Sequence, residues 1–420
     1  MRGLWIVFLS AFVLSGFGGA EVVEKTLPNG VRLIVKETRG KGIVSGVVFF
    51  RGGLHGEVKR GETNLLFTLL LKGSEKFPSS YDVSLPFERY GGYIYSSSGN
   101  DFSEVGFVTK VEGFEKALRV IRDIVENPLL REEDLEREKK NVIVSIRSKR
   151  ERGMEMAMEE LRKLTYRGTP YEVSPLGTEE SVASIERGDL LRRLGELRKG
   201  GNVVVSVVGD MPAGDMLKLL EEAFRWMEEG ELELSADTVP IPESEVVRVK
   251  REGTQATILC AVEAPPRDAR EYFVFKVLSS ALGDGMTSLL FRELREKKGY
   301  AYATYAFYPT RIGPPRLFSY VGTSPEKKED ALSDMLALLK KPDLTVEDVE
   351  VAKSKIIGDF LLDHQTRLRQ AWYLGFYEVM GMGWEMDGEF PRRIEEVSLE
   401  DILSALSRYV DDHHCVVIEP

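Results

Sequence analysis

The order of apolar and polar positions divides the chain into elements before any chemistry is considered. Val22 to Phe50 is strand-rich, with Asn29-Gly30 a hairpin turn between Val23–Leu27 and Val31–Glu37, and Gly42 to Phe50 a further β run. Glu62 to Lys72 reads as an apolar helix. Phe114, Leu118, Ile121 and Val125 fall on one face of another. Glu132 to about Leu164 reads as one long helical stretch. Asn202 to Val208 is a nearly all-apolar strand closed by Gly209-Asp210, and a helix follows to about Met227. Glu228 to Glu245 changes character: it is acidic, contains Pro240 and Pro242 and has little periodicity, as an interdomain linker would.

The second half echoes the first. Leu130 to Lys140 (LREEDLEREKK) aligns with the run from Leu344 (LTVEDVEVAKS), and Ser184 to Leu190 (SIERGDL) with Val397 to Ile402 (VSLEDI). Each half then ends in an apolar strand, Val203–Val208 and Cys415–Ile418. Two matches in the same order at nearly the same offset predict two copies of one α+β unit. The expected units are 21–228 and 246–420, joined by a linker at 229–245.

The first twenty residues stand apart. Met1-Arg2-Gly3 is a short positive start, Leu4 to Phe17 is an apolar run, and Gly18-Gly19-Ala20 supplies small residues before Glu21. This is the three-part pattern of a secretory signal peptide, and its apolar run is too short to span a bilayer. The sequence therefore predicts export to a periplasmic or extracellular location, with no stable membrane anchor after cleavage. Scarce Asn and Gln beside 30% charged residues lean toward a heat-adapted source.

Composition narrows the function. With 43% hydrophobic residues in 420, disorder and fibrous repeats are excluded. A net charge of −11 argues against nucleic acid as the partner. Two cysteines cannot form a four-cysteine zinc site, and the four histidines are His55, His364, His413 and His414. His413 and His414 are adjacent on a strand and point to opposite faces, so they cannot easily share an ion. His364 reads as a mid-helix histidine beside Asp363. A satisfied or exposed ring is the expectation for each.

Gly61 to Pro78 (GETNLLFTLLLKGSEKFP) resembles the metal-site helix of the pitrilysin/insulinase family of zinc metallopeptidases, which includes the mitochondrial processing peptidase. In that family His-x-x-Glu-His sets two ligands one turn apart with a general base between them. Here the two histidine positions hold Asn64 and Thr68 and the glutamate position holds Phe67. The third ligand position holds Ser145, and the supporting glutamate survives as Glu138. The resemblance thus implies a site that binds no zinc and a chain that hydrolyses nothing alone.

Gly283 to Tyr302 (GDGMTSLLFRELREKKGYAY) resembles the same family's second signature more closely. There an arginine and a tyrosine seven residues apart reach toward the zinc site, hydrogen-bond the substrate carbonyl and help hold the oxyanion; here they are Arg295 and Tyr302. The first unit's substrate edge is altered, with Gly91-Gly92-Tyr93-Ile94 followed by Tyr95-Ser96-Ser97-Ser98. Its backbone remains able to pair with an extended peptide.

The implied fold is two homologous α/β sandwiches, each an antiparallel sheet with helices on one side, forming half of a clamshell. The implied role is a non-catalytic subunit that pairs with a zinc-bearing homologue and acts on a peptide substrate. A scaffold subunit without proteolytic role is the alternative, and self-pairing of two copies as a peptide-binding protein a weaker one. Cys260, in the strand Ala256–Val262, and Cys415 would oxidise in an exported chain if their strands are neighbours; buried free thiols fit the sequence equally.

Overall fold

The computed structural model describes residues 21–234 and 239–420. The signal peptide expected at 1–20 lies outside the described residues, as does part of the expected linker. Among the described residues no helix is long and apolar enough to cross a membrane. The flanking parts of the linker, 231–234 and 239–244, carry no helix or strand.

Two sheets organise the chain. The first holds β1 (Val22–Thr26), β2 (Arg32–Glu37), β3 (Ile43–Arg51), β4 (Tyr93–Ser98), β5 (Phe102–Lys110) and β6 (Val203–Gly209), in the order β1-β2-β6-β3-β5-β4. The second holds β7 (Glu245–Lys250), β8 (Ala256–Glu263), β9 (Ala301–Phe307), β10 (Arg316–Thr323) and β11 (His413–Glu419), in the order β7-β11-β8-β10-β9. Apart from β1 the orders superimpose: β2 runs parallel to β6 as β7 does to β11, and all other pairs are antiparallel. The repeat seen in the sequence is therefore a repeat of topology. Capping boxes at Glu186 and Ser398 open the two helices that precede the terminal strands.

Each sheet is buried on both faces. On the first, Leu33, Val35, Val48, Val205 and Val207 pack among the unit's own helices. The alternate residues Ile34, Val47, Phe49, Val204 and Val208 pack against Ala371, Leu374 and Val379 of the Arg367–Val379 helix, which belongs to the second half of the chain. The second sheet reciprocates: Leu259, Ala261, Val416 and Ile418 pack against Ala157, Leu161 and Leu164 of the Gly153–Thr165 helix from the first half. Burial on both faces is why the β6 run is continuously apolar and does not alternate. Glycines allow the close crossings. A Cβ at Gly153 would stand 2.6 Å from Thr257 Oγ1 of β8, and one at Gly375 would stand 2.3 Å from the Phe49 ring of β3.

The expected sheets, antiparallel with helices on one side, are instead mixed, each with one parallel pair, and are covered by helices on both faces because each half lends a helix to the other's open face. Two helix expectations also change. The stretch 132–164 is two helices, Glu132–Arg150 and Gly153–Thr165, because the chain turns at Glu151-Arg152 to cross onto the second sheet. His364 closes the Val346–Asp363 helix and is not inside it. One ring nitrogen lies 2.7 Å from the Phe360 carbonyl and the other 2.7 Å from Asp387, so the ring is satisfied.

Candidate site at two equivalent sheet edges

The Glu62–Leu70 helix presents Asn64 and Thr68 one turn apart, both partly exposed. Thr68 Oγ1 donates to the Asn64 carbonyl at 3.0 Å, so its proton closes a local bond along the helix. Phe67 turns inward: it is 1% exposed, and its ring meets Phe50 of β3 edge-on at 5.4 Å. Ser145, on the neighbouring Glu132–Arg150 helix, is exposed and donates to the Asn141 carbonyl at 2.9 Å. None of these residues offers an imidazole, thiolate or carboxylate, so the donor set does not fit zinc. Among the described residues no group of three His, Cys, Asp or Glu side chains is placed to hold a metal.

Glu138 is held by other partners. Its carboxylate lies 3.0 Å from Lys72 Nζ and accepts from Asn141 Nδ2 at 3.1 Å. Burial alone would raise its pKa, but the bonds from Asn141 and Lys72 outweigh that and hold it below the usual carboxylate value. This ion pair ties the Glu132–Arg150 helix to the turn that follows the Glu62–Leu70 helix.

The helix also abuts β4, the outer strand of the first sheet, where Ser96 Oγ donates to the Phe67 carbonyl at 2.7 Å. The equivalent outer strand of the second sheet is β9, preceded by a π-helical turn over Phe291–Lys297. Arg295 leaves that turn, stacks over Phe291 at 5.0 Å and donates from Nη1 to the Tyr302 carbonyl at 2.6 Å. Tyr302, at the start of β9, is 55% exposed. The structure thus joins Arg295 to Tyr302 and leaves a guanidinium and a phenol on the surface of an edge strand, with four of the five guanidinium N–H donors not spent on that carbonyl. Tyr305, also exposed, stacks on Tyr320 with centroids 5.7 Å apart.

The remaining histidines lie elsewhere. His413 and His414 open β11, His414 being buried. His55 belongs to a buried cluster without a local signal in the sequence, because its members are far apart in the chain. The Tyr171 hydroxyl donates to Asp101 and accepts from the Gly313 N–H at 2.8 Å, with His55 Nε2 3.0 Å from it. The Ile312 N–H donates to Asp101 at 3.0 Å. Cys260 and Cys415 face each other on β8 and β11 and form a disulfide.

Against known proteins, residues 33–179 match the model of the insulinase family (peptidase family M16), and residues 184–356 match the model described as peptidase M16 inactive domain. An uncharacterized zinc protease of Bacillus subtilis, YmxG, is 24% identical across 94% of this chain and 97% of its own length. The mitochondrial-processing peptidase subunit beta of Dictyostelium discoideum is 21% identical across 92% of this chain and 86% of its own. Among solved structures, a peptidase M16 inactive domain from Pseudomonas fluorescens superimposes with a TM-score of 0.88 at 19% identity, covering 95% of this chain and 98% of that one. A protease from Helicobacter pylori does so with a TM-score of 0.86 at 19% identity, covering 96% and 100%.

Proposed function

Because the chain belongs to the insulinase (M16) peptidase family, we propose that it serves as a non-catalytic subunit of an exported zinc peptidase, completing a site whose metal sits in a homologous partner. The observation that carries this reading is an asymmetry. The positions for metal chemistry hold a buried Phe67 and the self-satisfied hydroxyls of Thr68 and Ser145, while Arg295 and Tyr302 stand exposed and joined on β9. In the partner's site zinc would supply the hydrolytic chemistry. This chain's part is to donate from the Arg295 guanidinium and the Tyr302 phenol to the carbonyl of an extended peptide, a contribution of a few kcal/mol when preorganised. The relative named a processing-peptidase subunit supports an assembly of this kind.

The test uses the purified chain and a zinc-bearing homologue of similar length. Alone, the chain should hold no stoichiometric zinc by metal analysis and cleave no peptide; mixed, the pair should form a complex with peptidase activity above that of the homologue by itself. Stoichiometric zinc and cleavage by the isolated chain would end the proposal.

A further inference from the structure

Lys276, on the Glu271–Gly283 helix, has no carboxylate within ion-pairing distance among the described residues. Its Nζ donates to the Tyr308 carbonyl at 2.8 Å and to Thr310 Oγ1 at 3.2 Å, and sits 5.0 Å from the centroids of both the Tyr272 and Tyr308 rings. An ammonium has three protons, and these two acceptors use two of them. The nearby acids are committed elsewhere. Asp363 accepts from Arg369 and, at 2.8 Å, from the Tyr373 hydroxyl; Asp359 and Asp284 lie 3.2 and 3.5 Å from Lys355. Burial, with the charge of Arg311 added, pushes the amine down to about 7, as expected for a cation stripped of water without a counter-ion.

Two cavities, of about 600 and 690 Å³, meet at Lys276 and Ile356. The larger is walled by Phe360, Trp372, Tyr373, Phe376 and Tyr377. Its size suits an amino-acid side chain with its flanking groups. The walls favour an apolar body, and Lys276, the one cation of the lining without a counter-charge among the described residues, favours one negative charge and not two.

We propose that this cavity binds an apolar monocarboxylate, the chemistry shared by a peptide's free C-terminus bearing a large apolar residue and by a free aromatic acid, with the carboxylate paired to Lys276. The site lies wholly within this chain and does not depend on a zinc-bearing partner, so either proposal can fail alone.

Titration calorimetry on the whole chain tests it with four probes: N-acetylphenylalanine, its amide, a pentapeptide ending in a free Phe carboxylate, and the same peptide amidated. The carboxylate of at least one pair should bind about tenfold or more tighter than its amide, a difference an added ion pair can produce. K276M should abolish that preference. If K276M does not fold, Trp372→Ala serves instead: it should weaken the acid about tenfold while the acid still outbinds its amide. Preference shown only by the peptide identifies a chain terminus as the source; equal binding of the small acid identifies the free acid. Acid and amide binding alike to the wild type, no binding of any probe, a preference that persists in K276M, or unchanged affinity in Trp372→Ala would overturn the proposal.

Discussion

At residue 67 the side chain serves packing. The Phe67 ring fills core space against Phe50, so an acid cannot be placed at this position without loss. Phe67→Ala should cost ~3–5 kcal/mol through the cavity it leaves. Phe67→Glu should cost at least as much, because a carboxylate would enter an apolar core without a partner. Urea denaturation of both variants measures this, and a loss under about 1 kcal/mol in either would show that the core yields there. Arg295 is the opposite case. Its carbonyl bond and its contact with Phe291 are exposed, so Arg295→Ala should lower stability by less than about 1 kcal/mol. Activity of the mixed complex should fall at least tenfold, the scale of one lost transition-state donor. An unimpaired complex would remove Arg295 from the mechanism.

At the scale of elements, local signals were legible and reciprocal ones were not. The Asn29-Gly30 hairpin and the run that became β6 could be read from the sequence because turn chemistry and periodicity are local. Residues 64, 67, 68 and 145 could be singled out because the segments around them resemble the family's motif. The break at Glu151-Arg152 could not be, although Gly153 follows it, because an isolated glycine is tolerated inside a helix and the cause of the break, the crossing onto β8, lies a hundred residues away. The cavity around Lys276 escaped for the same reason: its walls come from four helices and a loop. The crossing itself is testable. Leu161 belongs to the first half by sequence but packs in the second sheet's core. Leu161→Ala should therefore cost ~2–5 kcal/mol and lower hydrogen-exchange protection in β8 and β11 more than in β3. Loss confined to the first sheet would contradict the exchange of helices. Within the second sheet, the Cys260–Cys415 bond closes a long loop, so the double Cys→Ala variant should lose about 2–4 kcal/mol. Thiol titration of the denatured, unreduced chain should find no free cysteine.

Across the whole molecule, the two halves are also joined by a buried polar clamp whose pH dependence has a definite sign. Asp101, from the first half, accepts from the Tyr171 hydroxyl and from the Ile312 N–H of the second half, with Arg311 3.7 Å away and His55 3.5 Å away. Burial by itself would raise its pKa. The bond with His55, the charge of Arg311 and the bonds from Tyr171 and Ile312 outweigh it, so the folded chain holds Asp101 below its unfolded value. A depressed carboxylate stabilises the fold fully above the unfolded pKa, near 4, and loses that contribution as pH falls through the folded value. Asp101→Asn keeps the shape but deletes the charge, which should cost about 2–4 kcal/mol at pH 7. The gap between wild type and variant should then narrow as pH is lowered from about 5 toward 3, because the wild type is being protonated and the variant has nothing to lose. Urea denaturation of the two proteins at pH 7 and pH 3 reads both quantities. A gap that stayed constant would mean that Asp101 acts through its shape alone, and a gap that widened would require the opposite pKa shift. Since the clamp and both crossing helices bind the halves to each other, the wild type should unfold in one calorimetric transition, with the Asp101→Asn variant splitting or broadening it only if the clamp is what couples them.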